Sequence, residues 1–439
     1  MLDKPILFIK VVVYAFAHFG RVWQRAITRS RERWVALLSG GIKAAETRDL
    51  NIVIVGANFA GYQAARVLAL NLPPNSRYRV VVVEPNSHFQ FTWVLPRYCV
   101  AKGHEHKAFI PYGPNLAGAP EGAVHWVKDR VASLTKSHVK LQDSGEDIPY
   151  EYLIIATGSA VEEGLPSRTN ATEKLESMKR LQAMQKSIEG ANKIVVVGGG
   201  AAGVEVATDA KSMYPEKTIV LVHSRKACMH RFGEGLQKAA REGFEKLGIE
   251  VILDERVVGE DKEAGTVTLR SGRVIECDLF INCTGQKPAS GILKDLAPET
   301  VTESGHIKVK PSLQIDNDEF PNIYACGDVA DTKTPNPNGR SAYRQADVAS
   351  DNVLLAIREK KPRFTFETSF ADGIIELTLG MERAVIHIGD GQKELLWESK
   401  EKEELMAGRC WLNLGAKPYE DDSVPQETTA PEAAKMTEA

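Results

Sequence analysis

An α/β protein built from two similar parallel-sheet lobes is what this 439-residue sequence predicts. Three observations carry that expectation. A unit of strand, glycine turn, helix and strand begins at Asn51 and again at Lys193, roughly 140 residues later. The strands of both units are unbroken β-branched runs, the pattern of strands buried on both faces. The composition is that of a globular chain, 43% hydrophobic and 26% charged, and the length suits two or three domains.

The first 48 residues stand apart. Pro5 to Gly20 is mostly apolar, interrupted by Lys10 and His18. That is short of the ~20 clean residues of a membrane span, and no small-residue cleavage site marks a secretory signal. Arg21, Arg25, Arg29 and Arg33 recur every four residues, which lines them along one helical face. An amphipathic helix lying in a membrane surface is expected. An Arg-rich mitochondrial targeting segment is the second reading, and a helix packed on the protein's own surface the third. Leu2 is not the glycine that an N-terminal myristoyl group requires. The expected location is intracellular and membrane-associated, on mitochondria, lipid droplets or another membrane, with a cytoplasmic location as the alternative.

In the first unit NIVIVGANFAG is strand and turn, YQAARVLALNL is helix, and Pro73, Pro74 and Asn75 stop it. RYRVVVVEP is the second buried strand. The turn comprises Gly56, Ala57, Asn58, Phe59, Ala60 and Gly61. Glycines there let the backbone approach a pyrophosphate seated on the N-terminus of the next helix. Asn58 replaces the usual middle glycine. Glu84 ends the second strand, 23 residues past Gly61, where an acid accepts both ribose hydroxyls of an adenosine. The bland alternative, a glycine turn without a ligand, explains the turn but not the acid in register.

In the second unit the turn is intact at Gly198, Gly200 and Gly203. Its strand ends in His223, Ser224 and Arg225, with no acid. A carboxylate at that point favours NADH, whereas an arginine accommodates the 2′-phosphate of NADPH. Arg225 tilts the reading toward NADPH or use of both; the alternative is a solvated loop arginine. Three further strands end in Ala156-Thr157-Gly158, Thr284-Gly285 and Gly327-Asp328. An Asp facing a pyrophosphate is electrostatically poor unless sugar hydroxyls donate to it. The ribityl chain of a flavin supplies them; a turn cap is the alternative. Beyond Pro362 the pattern is β-rich, and from Pro418 to Ala439 the composition is that of a disordered tail.

In this order the motifs resemble the two-dinucleotide-binding-domain flavoproteins, in the apoptosis-inducing-factor-like branch that includes the ferroptosis suppressor and type II NADH dehydrogenases. FIPY (Phe109 to Tyr112), VVVGGGAAGVEVA (Val195 to Ala207), DERV (Asp254 to Val257) and NIYACGDVAD (Asn322 to Asp331) extend the match. The resemblance implies two Rossmann-like domains, with an NAD(P)H domain (161–275) inserted in an FAD domain (49–160 and 276–360). An N-terminal amphipathic segment (1–48), a small C-terminal α+β domain (361–417) and the tail (418–439) complete the chain. It implies FAD as cofactor, NADH or NADPH as co-substrate and a quinone-like electron acceptor. It also implies that Glu205 is the carboxylate nearest nicotinamide and flavin. A helix-start acid bonded to backbone amides is the other reading of Glu205. Arg97, Arg340 and Gln345 are carried over as residues beside the flavin.

Six scattered cysteines, Cys99, Cys228, Cys277, Cys283, Cys326 and Cys410, suit a reducing compartment. No pair follows the first glycine turn, so electrons are expected to pass from flavin to acceptor without a disulfide. His88, His104 and His106 read as surface residues without metal-ligand spacing, and no metal is expected. The net charge of −3 gives no general attraction to nucleic acid. A monomer or homodimer fits. Two other functions remain open: a tailoring enzyme for a specialised metabolite or a redox-partner protein, with the C-terminal region, including Trp411 and the loops after Gly380, forming a dedicated pocket, and a signalling or cell-death protein that uses flavin and nucleotide binding as a switch.

Overall fold

The computed structural model describes residues 3–40, 48–73, 76–162 and 164–423, with side chains of the first helix from 5 to 31. That helix is α1 (Asp3–Gly40). The first lobe then contributes β1 (Leu50–Val55), α2 (Phe59–Asn71), β2 (Tyr78–Val83), the short α3 (Leu95–Tyr98), β3 (Val124–Val127) and β4 (Tyr152–Ile155). The second contributes α4 (Lys174–Gly190), β5 (Lys193–Val197), α5 (Ala201–Met213), β6 (Thr218–Val222), α6 (Glu234–Leu247), β7 (Glu250–Ile252) and β8 (Leu279–Asn282). β9 (Ile323–Ala325) returns to the first sheet, and α7 (Gly339–Ala356) packs on α2. An antiparallel sheet of β10 (Ile375–Thr378), β11 (Arg383–Gly389) and β12 (Glu394–Lys400), followed by α8 (Ala407–Asn413), completes the chain.

Both main sheets are parallel, as apolar runs covered by helices on both faces require. The first has the order β9-β4-β1-β2-β3, with Val53 opposite Val81 and Leu153. The second has the order β7-β6-β5-β8, with Val195 opposite Val220 and Phe280. Since β9 follows the second lobe in sequence and pairs with β4, the second lobe is inserted in the first. The boundary differs from the expected residue 275. Leu279–Asn282 pairs with the open edge of β5 and so belongs to the second lobe.

Two other expectations are corrected. Residues 418–423 are packed, not disordered: the Tyr419 ring lies edge-on to Trp411, and Asp421 binds both Lys174 and His88. His88 is therefore buried against a carboxylate, 2.8 Å from Asp421, and is not a surface residue. Composition suggested a disordered tail because Lys174 and His88, which hold Asp421, lie hundreds of residues upstream. Residues 424–439 lie outside the described residues.

α1 divides its faces in an unexpected way. Leu7 is fully buried against Ile388 and Leu395, with Val11, Phe370, Ile374 and Ile386 around them. Tyr14 lies edge-on to Phe370 at 5.4 Å. Two residues of the arginine row turn inward: Arg29 Nε donates to Asp351 at 2.7 Å, and Arg25 reaches Asp347 and Asp351. The outward face is apolar, with Phe16 74% and Trp23 63% exposed and Ile9, Val13 and Phe19 beside them. Pro5–Arg31 is long and apolar enough, by length and composition, to cross a membrane. Lys10 does not interrupt the outward face, since it pairs with Asp390 of the body.

Candidate active site

The two glycine turns face one pocket of about 640 Å³. In each turn the last glycine lets helix and strand close on one another. A Cβ on Gly61 would lie 1.7 Å from the Gly56 carbonyl oxygen, and one on Gly203 would lie 1.9 Å from that of Gly198. The first turns of α2 and α5 therefore point their amides at the pocket, a setting for diphosphate.

On the first lobe Asn58, Phe59, Ala60, Ala156, Gly158, Gly327 and Asp328 line the pocket. Asn58 Nδ2 donates to the Gln90 carbonyl at 3.2 Å, while its Oδ1 is buried with no partner. An orphaned acceptor at the start of α2 fits a site completed by a ligand with hydroxyl donors. Glu84 accepts from the Ala57 amide at 2.5 Å and the Asn86 amide at 2.8 Å, which holds its carboxylate at the strand end. Asp328 is pushed up by burial and held down by Arg168 across the pocket. Arg168 is a pocket residue that no sequence motif marks. These groups fit FAD: amides for the diphosphate, Glu84 for a ribose, Asp328 for the ribityl hydroxyls.

Four of the expected site residues stand behind the pocket wall or beside it. Thr157 spends its hydroxyl on the Ala289 carbonyl at 2.8 Å. Gln345 is buried and accepts from the Gly327 amide at 2.7 Å, so it shapes the Gly327–Asp328 turn and does not reach the pocket. Arg97 is 1% exposed and each of its three nitrogens donates within the wall: Nε to Asp209 at 2.7 Å, and the terminal nitrogens to the Met381 and Gly380 carbonyls. It supports the wall and does not line the pocket. Gly285 is exposed, with a φ of +81°, next to the pocket residue Gln286. Arg340 does line the pocket and donates to the Ala371 carbonyl at 2.8 Å.

On the second lobe Gly200, Ala201, Ala202 and Glu205 line the pocket, and Arg225 is exposed on the loop after β6. Glu205 is one turn into α5. Burial, then the negative charge of Asp209, push its carboxyl up to about 8, against a weak 3.5 Å contact from the Thr378 amide. The C-terminal sheet adds acids that motif reading missed. Glu376 and Glu401 share the Ser399 hydroxyl, at 3.2 and 3.5 Å from Ser399 Oγ to Glu376 and Glu401, when the latter contact is counted through Glu401 Oε1. Burial and the neighbouring Glu376 carboxyl push Glu401 up to about 6. Thr378 Oγ1 is buried there without a partner. The one available signal was the alternation Ile-Glu-Leu-Thr, which sets Glu376 and Thr378 on one face of a strand.

The sequence profile of the pyridine nucleotide-disulphide oxidoreductase family matches residues 50–352. Fe-regulated protein 8 of Mycosarcoma maydis is 32% identical over 83% of this chain and 94% of its own length. Ferroptosis suppressor protein 1 of Homo sapiens is 30% identical over 73% of this chain and 84% of its own. Among solved structures, the sulfide:quinone oxidoreductase of Aquifex aeolicus is similar in fold, with a TM-score of 0.64 at 17% identity over 84% of this chain and 92% of that one. The water-forming NADH oxidase of Lactobacillus brevis gives 0.60 at 20% identity, over 77% of this chain and 75% of that one. Profile and relatives agree with the paired glycine turns around one pocket: the chain belongs to the pyridine nucleotide-disulphide oxidoreductase family, among its apoptosis-inducing-factor- and ferroptosis-suppressor-like members, and is an oxidoreductase that works with FAD and NAD(P)H.

Proposed function

We propose that this oxidoreductase passes electrons from NAD(P)H to a quinone-like acceptor at a membrane surface, with no redox disulfide between them. The observation that carries the reading is the seat of α1. Ile374 and Ile386 line the pocket and also pack against the Leu7 and Val11 side of α1. The opposite face of the same helix is apolar and exposed. A helix with a lipid-seeking face at the pocket rim lets a lipid-soluble acceptor approach without crossing water. A quinone appears in the name of the Aquifex relative, which supports the acceptor class by fold alone.

Bound FAD would supply the two-electron chemistry that links hydride from the nicotinamide to the acceptor. The chain supplies the rest. The amides of the two turns hold diphosphates, Asp328 holds sugar hydroxyls, and the wall positions a protonated acid. Quinone reduction by NAD(P)H takes up one proton besides the hydride, and Glu205 is the pocket acid whose carboxyl keeps its proton at neutral pH. Of the six cysteines only Cys283 lines the pocket, so the wall has no second thiol for a dithiol relay. Of the C-terminal region that a tailoring enzyme would use, Glu401, Leu405 and Met406 line the pocket, whereas Trp411 is fully buried and donates to the Lys107 carbonyl at 2.9 Å.

Purified protein should be yellow and should oxidise NAD(P)H when a short-chain quinone is added. A folded, colourless protein, or one inert toward quinones but active on other acceptors, sinks the proposal. The membrane part has its own test. The double substitution Phe16→Glu and Trp23→Glu is expected to lower partitioning onto phosphatidylcholine vesicles by at least about a hundredfold, the worth of two exposed aromatic side chains. Unchanged vesicle binding in co-sedimentation would remove α1 from the interface.

A further inference from the structure

Equivalent strand ends in the two lobes carry opposite chemistry. In the first lobe the Gly56 amide donates to the Val83 carbonyl at 2.9 Å, and Glu84, the next residue, accepts from the Ala57 amide at 2.5 Å. In the second the Gly198 amide donates to the Val222 carbonyl at 2.9 Å, and His223 Nδ1 accepts from the Gly199 amide at 3.0 Å. His223 thus occupies the place of Glu84, atom contact for atom contact. A carboxylate in that place keeps lone pairs for sugar hydroxyls. An imidazole whose Nδ1 accepts an N–H carries its own hydrogen on Nε2 and is a donor there.

That donor has nothing to give to. His223 is 7% exposed and its Nε2 is buried without a hydrogen-bond partner. The Ala227 backbone raises the pKa of the ring, though burial lowers it overall, yet it does not give Nε2 a partner of hydrogen-bond geometry. The loop that follows, SRKACMHRFG from Ser224 to Gly233, holds Arg225, Lys226, His230 and Arg231 and no acid. The His230 ring lies 5.4 Å from that of His223. Of the nearby carboxylates, Glu255 is turned to the Ser271 amide and Arg270, and Asp254 acts on His223 less strongly than Arg225 does. A ribose hydroxyl needs an acceptor at this point; a phosphate needs donors and positive charge.

We propose that His223 and Arg225, with the basic loop 224–231, form a recognition site for a ribose 2′-phosphate, which makes NADPH the preferred co-substrate over NADH. This rests on the second lobe being the one that holds the nicotinamide nucleotide. Calorimetric affinities of the FAD-loaded protein for 2′,5′-ADP and 5′-AMP test it without turnover. The 2′-phosphate should tighten binding at least about tenfold, the worth of one charge-assisted hydrogen bond. Arg225→Ala, at an exposed position where folding is not at stake, should bring the ratio close to one. His223→Glu, which restores the acid of the first lobe, should invert the NADPH-to-NADH preference in kcat/KM. A ratio near one in the unaltered protein, or a large ratio that survives Arg225→Ala, overturns the proposal. If neither adenosine fragment competes with NADH or NADPH, the assignment of the second lobe fails instead, and the two failures are told apart.

Discussion

Glu205→Gln is expected to lower kcat with quinone acceptors by on the order of 10²–10³ while the protein stays yellow, the loss typical of a removed general acid. Glutamine keeps the size and the hydrogen-bonding carbonyl of the side chain, so the pocket retains its shape. It cannot release a proton. Glu205 lines the pocket beside the second turn, and burial with the Asp209 charge pushes its carboxyl up to about 8. Below that value the acid is protonated and active. As pH rises through about 8 it ionises, so kcat should fall on the alkaline side, and the variant should lack that limb. Stability gives a second readout. The native pKa is raised above the ~4.3 of an unfolded Glu. The native state therefore holds its proton longer, and the favourable contribution is full below ~4.3 and is lost as pH rises toward 8. The Tm of the unaltered protein should drop more between pH 5 and 9 than that of Glu205→Gln. A variant with normal kcat and an unchanged alkaline limb would show that Glu205 is only a wall residue.

The parts of the molecule legible in the sequence are those built from neighbours in the chain. Gly56 to Gly61 and Glu84 form one strand–turn–helix–strand unit, and its geometry follows from local rules: a glycine where helix meets strand, an acid at the strand end. The same is true of Gly198 to Gly203. What was not legible depends on distant partners. Arg97 looked like a flavin contact, but Asp209, 112 residues on, takes its Nε hydrogen bond. The arginine row of α1 looked like the polar face of a helix lying in a membrane surface, until Asp347 and Asp351 of α7 claimed Arg25 and Arg29. Glu376 and Glu401 meet only because β10, β11 and β12 fold back on one another. Periodicity reports which face of an element is apolar; it does not report which charged group, far along the chain, will face the polar one.

Arg97→Met is expected to destabilise the protein by about 3–5 kcal/mol, the cost of leaving a buried charge without its partner. Methionine fills a similar volume, so a cavity is not the main effect. Asp209 is fully buried, and its Oδ1 already lacks a partner while Oδ2 depends on Arg97. Burial pushes the Asp209 carboxyl up to about 6 and Arg97 opposes that rise, so without the guanidinium the acid should take up a proton at neutral pH. The Gly380 and Met381 carbonyls lose their donors in the same step. A loss of this size lowers Tm by on the order of 10 °C. Adding Asp209→Asn should recover part of it, and a double-mutant cycle separates the pair from the carbonyl contacts. The position of Arg97 ties this change to catalysis. Its positive charge holds the Glu205 carboxyl down, while the Asp209 charge pushes it up. Arg97→Met removes the first and, through protonation, the second, so the alkaline limb of kcat should move little even as Tm falls. A limb that moves by more than about one pH unit would mean that Asp209 stays charged when Arg97 is gone, and that the wall of this pocket tolerates an isolated buried carboxylate.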